Sequence, residues 1–235
     1  CLCTWYNDNI KSYANTISLI NQKYCKKHHI DFFVDHKCRI NNPYYERFPL
    51  ILELFKKNYD YVIWIDADAF FFVNSPHILN LINQHSNKDF ILSQDSDYGI
   101  NEDYIYTVTK DDISKINSGV MIIKNTDYTK FIIYNWYTNI DWHNKGKDYF
   151  YLDQGVIRWL IHTNAYNMRD KSYVVPFGYL QQFAVKTTTQ HDITDDIINK
   201  YKLTSKSPFI FHMAGSDGTF RDYCAMLYYI NYCYL

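Results

Sequence analysis

Residues 60–70 read Asp-Tyr-Val-Ile-Trp-Ile-Asp-Ala-Asp-Ala-Phe, and this stretch carries the strongest fold signal in the chain. Tyr61 to Ile65 form an unbroken apolar run, which is typical of a central strand buried on both faces of a parallel sheet. Asp66 and Asp68 follow that run directly. Ligands of open α/β sheets bind beyond the carboxyl ends of the strands, so the sequence predicts a binding site at these two acids.

The two acids predict a divalent metal site. Asp66 and Asp68 lie one residue apart, and carboxylates so close repel each other unless a cation lies between them. Their oxygens suit Mn²⁺ or Mg²⁺, with substrate phosphates completing the coordination. Two alternatives stay open: a pair of solvated turn acids, or a metal-dependent phosphatase with Asp66 as nucleophile. The phosphatase is the weaker alternative, because its usual pattern has Thr or Val where this chain has Phe70.

Strand and helix patterns alternate on both sides of this stretch. Upstream, the sequence predicts strands at residues 2–6 and 31–34, and helices at about 10–28, opened by Asn7-Asp8-Asn9, and from Pro49 to about 57. Downstream, it predicts helices at 75–85, 127–139, 153–161 and 220–235, the first of them opened by Ser75 and Pro76. It also predicts strands at 90–92, 120–123, 173–175 and 209–212. This order predicts an α/β/α sandwich with a mostly parallel, Rossmann-like central sheet. The last helix is expected to cover that sheet.

Two later motifs carry polar side chains suited to a ligand. Residues 208–218 form a strand pattern that ends at His212 and is followed by glycines, which let backbone amides approach an anion. Residues 115–123 include Asn117 and Ser118, and a helix opens at Asp153-Gln154; such groups match sugar hydroxyls. The structural alternatives are a hydrogen-bonded histidine and ordinary turn or capping residues.

Composition narrows the class of partner. The chain has 235 residues and 28.3 kDa, with 24 basic against 25 acidic residues, so no net field favours nucleic acid or an anionic membrane. Its apolar runs are too short to span a bilayer. Six cysteines without zinc-ligand spacing, and no Asn-x-Ser/Thr acceptor, favour a cytoplasmic setting for the chain as given. The chain begins with Cys rather than Met, so a longer protein is expected, and a Golgi-type lumenal placement would require a preceding anchor.

The motifs together resemble one glycosyltransferase family. In order, W-I-D-A-D-A-F-F, N-S-G-V-M-I-I-K, D-Q-G-V and F-H-M-A-G are similar to the galactomannan galactosyltransferase and xyloglucan xylosyltransferase family, with its fungal mannan-elongating relatives. A weaker likeness runs to the glycogenin-type transferases. The resemblance implies one GT-A catalytic domain over residues 1–235, with a nucleotide-binding half at 1–115 and a donor-sugar and acceptor half at 116–235. It also implies a nucleotide-sugar donor, with UDP-sugar expected, and a glycan acceptor.

The resemblance assigns roles to individual residues. It implies metal binding by Asp66, Asp68 and His212, with Asp153 and Gln154 as the catalytic pair beside the anomeric carbon. Donor contacts are implied for Thr4, Trp5, Tyr6, Arg47, Ala67, Asp95, Asn117, Ser118 and Gly215. Glycogenin-like proteins carry Lys-Pro-Trp after their H-x-x-G, whereas this chain has Asp217 to Arg221. Arg221 is the candidate replacement for that lysine.

The resemblance also implies transfer with retention of anomeric configuration. In that mechanism the departing diphosphate takes the acceptor proton, so no strong protein base is required. An inverting enzyme would need a carboxylate base, for which Asp95, Asp97 and Asp153 are the candidates. A catalytically inactive carbohydrate- or nucleotide-binding protein on the same fold is the non-enzyme alternative.

Overall fold

The computed structural model describes residues 1–72, 74–95, 115–150, 152–183, 209–214 and 218–233. Its strands are β1 (Leu2–Trp5), β2 (Phe32–Asp35), β3 (Tyr61–Ile65), β4 (Ala69–Phe71), β5 (Phe90–Gln94), β6 (Ile116–Lys124), β7 (Ser172–Val175), β8 (Gln181–Phe183) and β9 (Ile210–His212). Six of them form the central sheet, in the order β2-β1-β3-β6-β5-β7. Only β6 runs antiparallel to its neighbours. The predicted mostly parallel sheet is confirmed.

Helices cover both faces of this sheet. They are α1 (Lys11–Lys27), α2 (Arg47–Phe55), α3 (Leu79–Gln84), α4 (Asp127–Thr138), α5 (Ile140–Gly146), α6 (Leu152–Thr163), α7 (Met168–Lys171) and α8 (Gly218–Cys233). Helices α2, α4, α5 and α6 bury their apolar side chains on one face, while α1 and α3 pack on the other. In these described ranges, no helix is long and apolar enough to cross a membrane.

The unbroken apolar run of β3 follows from this layering. Side chains alternate along a strand, so Val62 and Trp64 enter the core under α2 while Ile63 and Ile65 enter the core under α1 and α3. Both sets are buried. A strand with a helix layer on each face therefore has no solvent side, and the predicted bounds at residues 61–65 are confirmed.

A second, three-stranded sheet was not predicted. Its order is β4-β9-β8, and β4 pairs antiparallel with β9 so that Ala69 lies opposite His212. All three strands have three residues each, and β4 and β8 showed no periodic pattern in the sequence. This small sheet joins the carboxyl end of β3 to the last strand of the chain.

Three helix predictions need correction. Ser75 and Pro76 do not open a helix: the Ser75 hydroxyl donates to the Phe209 carbonyl, and α3 begins at Leu79. Asn7 caps a short 3₁₀ turn rather than α1. The terminal helix α8 packs on α1 and on the small sheet, not on the central sheet, because its apolar residues meet the aromatic rings of β4 and β9.

Candidate active site

Asp66, Asp68 and His212 meet where the two sheets join. One ligand atom from each residue lies within 4.8 Å of the others. The Nε2 atom of His212 is 3.2 Å from Asp68 Oδ1 and 3.9 Å from Asp66 Oδ2. The turn after β3 places both acids, and pairing of β4 with β9 delivers the imidazole to them. Two carboxylates and one imidazole form a donor set that suits Mn²⁺ or Mg²⁺.

The backbone around this group is shaped to fit it. Gly119, in β6, lies so close that an added Cβ would be 2.2 Å from Cε1 of His212 and 2.8 Å from Oδ2 of Asp66. Any side chain at this position would displace the imidazole or the carboxylate. The Gly119 carbonyl also accepts a hydrogen bond from the Asp66 amide at 2.8 Å, which fixes the start of the turn. The three side chains therefore form a closely packed group whose ligand atoms could hold a metal ion.

The electrostatics of the group favour a cation. Burial raises the pKa of the Asp66 carboxyl above its ordinary value; Arg47 opposes this effect and Asp68 adds to it. Burial also acts to raise the pKa of Asp68, but attraction by His212 and Arg221 outweighs it and leaves this pKa lowered. For His212, burial acts to lower the pKa, but Asp68 and Asp66 outweigh it and the pKa is raised. The two acids therefore attract positive charge to Nε2 of His212, either as a proton or as a metal ion.

A buried guanidinium links this group to the predicted catalytic pair. Arg47, at the start of α2, lies 3.0 Å from Asp153 Oδ2 through Nη2 and 3.6 Å from Asp66 Oδ1 through Nη1. It also donates to the backbone carbonyl of Ser118 at 2.6 Å. The Ser118 hydroxyl donates to Asp153 at 2.9 Å. Arg47 thus bonds three parts of the protein, and the residues predicted from scattered motifs form one connected cluster.

The side-chain amide of Gln154 is bonded to a second ion pair, which Asp95 forms with Arg158. Gln154 Nε2 donates to Asp95 Oδ2 at 3.1 Å, and the same oxygen accepts from Arg158 Nη2 at 2.5 Å. Arg158 also donates to the Ile116 carbonyl and stacks on the ring of Phe150. Asp95 therefore orients the Gln154 amide. Sequence reasoning missed Arg158, although its position one helical turn after Gln154 on α6 was a readable signal.

The residues predicted to bind the nucleotide lie at the neighbouring strand end. Thr4 and Trp5 end β1, which runs parallel to β3, and Tyr6 packs in one apolar cluster with Ala67. In the central sheet, β2 lies on one side of β1 and β3 lies on the other. The strand order therefore reverses at the carboxyl end of β1, and α/β sheets bind ligands at such a topological switch point. The Thr4 hydroxyl is buried without a hydrogen-bond partner among the described residues.

Of three further predicted positions, Arg221 lies beside Asp68, and the other two lie outside the described residues. Arg221, in the first turn of α8, lies 2.7 Å from Asp68 Oδ2 and thus reaches the metal group from the last helix. Gly215 and Asp97 lie outside the described residues. Gln181, in β8, was missed; its amide contacts His212 at 2.9 Å.

The sequence model of the galactosyl transferase GMA12/MNN10 family matches residues 5–222, which include Asp66, Asp68, Asp153 and His212. The chain belongs to this family. The predicted resemblance and fold type are confirmed, and family membership supports a transferase that moves sugars. Among curated proteins, no sequence matches this chain significantly.

Solved structures agree on the fold. A glycosyltransferase involved in the glycosylation of the major capsid of PBCV-1 superposes with a TM-score of 0.66 at 13% identity, over 97% of this chain and 99% of that chain. Galactosyltransferase LgtC gives 0.57 at 13% identity, over 100% and 96%. Mouse xyloside xylosyltransferase 1 gives 0.51 at 9% identity, over 91% and 97%. At these identities the likeness shows the GT-A fold alone.

Proposed function

We propose that this family member transfers a sugar from a UDP-sugar donor to a hydroxyl group of a glycan, with divalent metal and with retention of anomeric configuration. The observation that carries the proposal is the Asp66–Asp68–His212 group at the end of β3, bridged by Arg47 to Asp153. A metal-binding group and a sugar-facing carboxylate at one strand edge are the two parts that transfer from a nucleotide sugar requires.

Metal and diphosphate would be held by the two acids and the histidine. Mn²⁺ or Mg²⁺, when bound there, would neutralise charge on the leaving diphosphate. Arg221 lies beside Asp68 and is 20% exposed at its side chain, so its guanidinium can contact a phosphate as well as the acid. The Thr4 hydroxyl, which has no hydrogen-bond partner within the described part of the chain, supports a nucleotide contact at the switch point.

Asp153 and Gln154 would stabilise the sugar in the transition state. Fixed dipoles and charges aimed at developing charge contribute most when the protein orients them beforehand. Arg47 and Ser118 orient Asp153, and Asp95 orients Gln154. These bonds favour retention over inversion, because Asp95 and Asp153, the two candidate bases of an inverting enzyme within the described residues, are bonded to arginines. A phosphatase is not proposed, because the family is one of glycosyltransferases.

A donor-hydrolysis screen tests the proposal. The chain is incubated with individual UDP- and GDP-sugars, with Mn²⁺ or with chelator, and release of the nucleotide diphosphate is measured. We expect release from at least one UDP-sugar, abolished by chelator and restored by Mn²⁺. Products formed with an oligosaccharide acceptor should keep the donor's anomeric configuration by NMR. Binding of UDP and Mn²⁺ without hydrolysis or transfer of any donor would instead identify an inactive binding protein.

A further inference from the structure

The second ring nitrogen of His212, which does not face the acids, is hydrogen-bonded to another buried side chain. The Nδ1 atom of His212 lies 2.9 Å from Oε1 of Gln181, while its Nε2 atom faces Asp68 and Asp66. Both His212 and Gln181 are almost fully buried, with 2% and 0% exposure. No role follows for Gln181 from the motifs, since β8 lies in the unpredicted small sheet.

The direction of this hydrogen bond is set by a chain of bonds that begins at a backbone amide. Gly119 N–H donates to Asn117 Oδ1 at 2.9 Å, and Gln181 Nε2 donates to the same oxygen at 3.1 Å. A backbone N–H can only donate, so Asn117 must present its oxygen. That oxygen must then receive the NH₂ group of Gln181. The Gln181 oxygen consequently faces His212, whose Nδ1 must carry the hydrogen.

We infer that Gln181, with Asn117 behind it, is a positioning residue that holds His212 as the Nδ1–H tautomer and leaves its Nε2 lone pair for the divalent ion. This inference rests on the metal part of the proposed function. It also changes the expectation for Asn117: both lone pairs of its oxygen are filled by protein donors, so only its NH₂ group remains for a sugar.

Two features of the fold support this arrangement: the pairing of β8 with β9 and the glycine at position 119. Strand β8 pairs parallel with β9, and Gln181 lies opposite Ile210, two residues before His212. This pairing puts Gln181 within reach of His212. Gly119 both donates the first hydrogen bond of the chain and, by lacking a side chain, leaves room for the imidazole. The four groups therefore depend on each other for position, as expected for the outer contacts that orient a metal ligand.

Direct Mn²⁺ binding to the whole chain, measured by EPR without nucleotide, tests the inference. Gln181→Met keeps the side-chain length and removes both hydrogen bonds. Its Mn²⁺ affinity should fall by roughly 10–100-fold, the usual effect of losing an outer contact to a ligating histidine. The matched control is Gln94→Met, which removes another buried amide that accepts a backbone N–H, from Phe177, and should leave Mn²⁺ affinity unchanged.

A second pair of variants separates orientation from packing. Asn117→Asp keeps an acceptor oxygen for both donors and should retain Mn²⁺ affinity, whereas Asn117→Leu removes the acceptor and should lose affinity as Gln181→Met does. This pair decides the question if Gln181→Met fails to fold. ¹⁵N NMR of the metal-free wild type, at a pH where the imidazole is neutral, should show the hydrogen on Nδ1 of His212.

The outcomes distinguish the inference from the function it rests on. Wild-type affinity in folded Gln181→Met, equal affinities in the two Asn117 variants, or a hydrogen on Nε2 would overturn the inference and leave the metal site standing. Absence of Mn²⁺ binding in the wild type would remove the metal site itself, and the inference with it.

Discussion

The proposed active site has a sugar end, with Asp153 and Asp95, and a metal end, with Asp66 and Asp68, and the two ends differ in how arginines contact their carboxylates. At the sugar end, Asp153 and Asp95 each bond an arginine, Arg47 and Arg158, at 3.0 and 2.5 Å. At the metal end, Asp68 Oδ2 also bonds an arginine, Arg221, at 2.7 Å, whereas the nearest guanidinium nitrogen to Asp66 lies 3.6 Å away and belongs to Arg47, which already bonds Asp153. Acids held by arginine are oriented by the protein itself. Asp66, whose arginine is distant, and Asp68 Oδ1, which lies 3.2 Å from Nε2 of His212, keep oxygens that a cation could bind.

Arg47 joins the two ends and makes their charges interdependent. Asp66, Asp68 and Asp153 contribute three negative charges around the two guanidinium groups of Arg47 and Arg221. When His212 is neutral, one negative charge is left for a bound cation to balance. The comparison thus predicts that changes at the metal end affect binding and that changes at the sugar end affect stability or turnover.

The largest effect is expected at the metal end. Asp68→Ala removes one of the three ligand side chains and the partner of Arg221, so Mn²⁺ binding and diphosphate binding should be lost together. Sugar transfer should fall by roughly 10³-fold or more, the equivalent of several kcal/mol of charge stabilisation. Calorimetric titration with Mn²⁺ and UDP measures the binding. Asp8→Ala, at an acid 92% exposed, should change neither quantity.

At the sugar end, loss of an arginine should act first on stability. Arg158→Met removes the guanidinium that bonds the buried Asp95, and loss of one partner costs about 3–5 kcal/mol in comparable buried pairs. Denaturant unfolding measures this cost. The double variant Arg158→Met with Asp95→Leu should recover much of it, because no charge then stays buried alone. A double variant as unstable as the single one would show that the ion pair does not explain the loss.

Asp153→Asn should separate turnover from binding. The carboxylate bonds Arg47 and Ser118, so its charge is used inside the site rather than only at the start of α6. Turnover at saturating donor should fall by roughly 10²-fold, the scale of one preorganised electrostatic group, while UDP affinity stays intact. Some stability should also be lost, because the buried Arg47 loses its nearest carboxylate charge. Gln154→Ala should show a milder decrease. Near-normal turnover in Asp153→Asn would reduce Asp153 to a structural residue.

The smallest effect is expected for an ion pair outside both ends. Arg39 bonds Glu53 at 2.8 Å, but the Glu53 side chain is 46% exposed, so Glu53→Gln should cost at most about 1 kcal/mol. The bond to Arg39 lowers the pKa of Glu53. Its contribution is therefore present above the unfolded-state pKa and is lost as pH falls through the folded-state pKa. Unfolding of both proteins across acidic pH should show their difference vanish; a constant difference would contradict this.

Local patterns in the sequence were sufficient for the strands of the central sheet and for Asp66 and Asp68, two of the three residues of the candidate metal group. The run at residues 61–65 could only belong to a strand with a core on both faces, and the acids that follow it had to lie at its carboxyl end. Short-range chemistry of this kind is readable because strand, turn and acids are adjacent in the chain. The start of α3 was misplaced for the opposite reason: Ser75 bonds Phe209, a residue far along the chain.

Hydrogen bonds and ion pairs between distant segments were decided only by the tertiary structure. The residue composition of β6 is equally suited to either strand direction, and two of the three strands of the small sheet, β4 and β8, have no readable period. Yet this small sheet brings His212 to Asp68 and Gln181 to His212. The sequence by itself determined which side chains could bind a cation or a sugar, because that depends on their chemical groups. Which groups face each other depends on strand pairing across the chain, where many pairings satisfy the same local pattern and only packing of the whole core selects one.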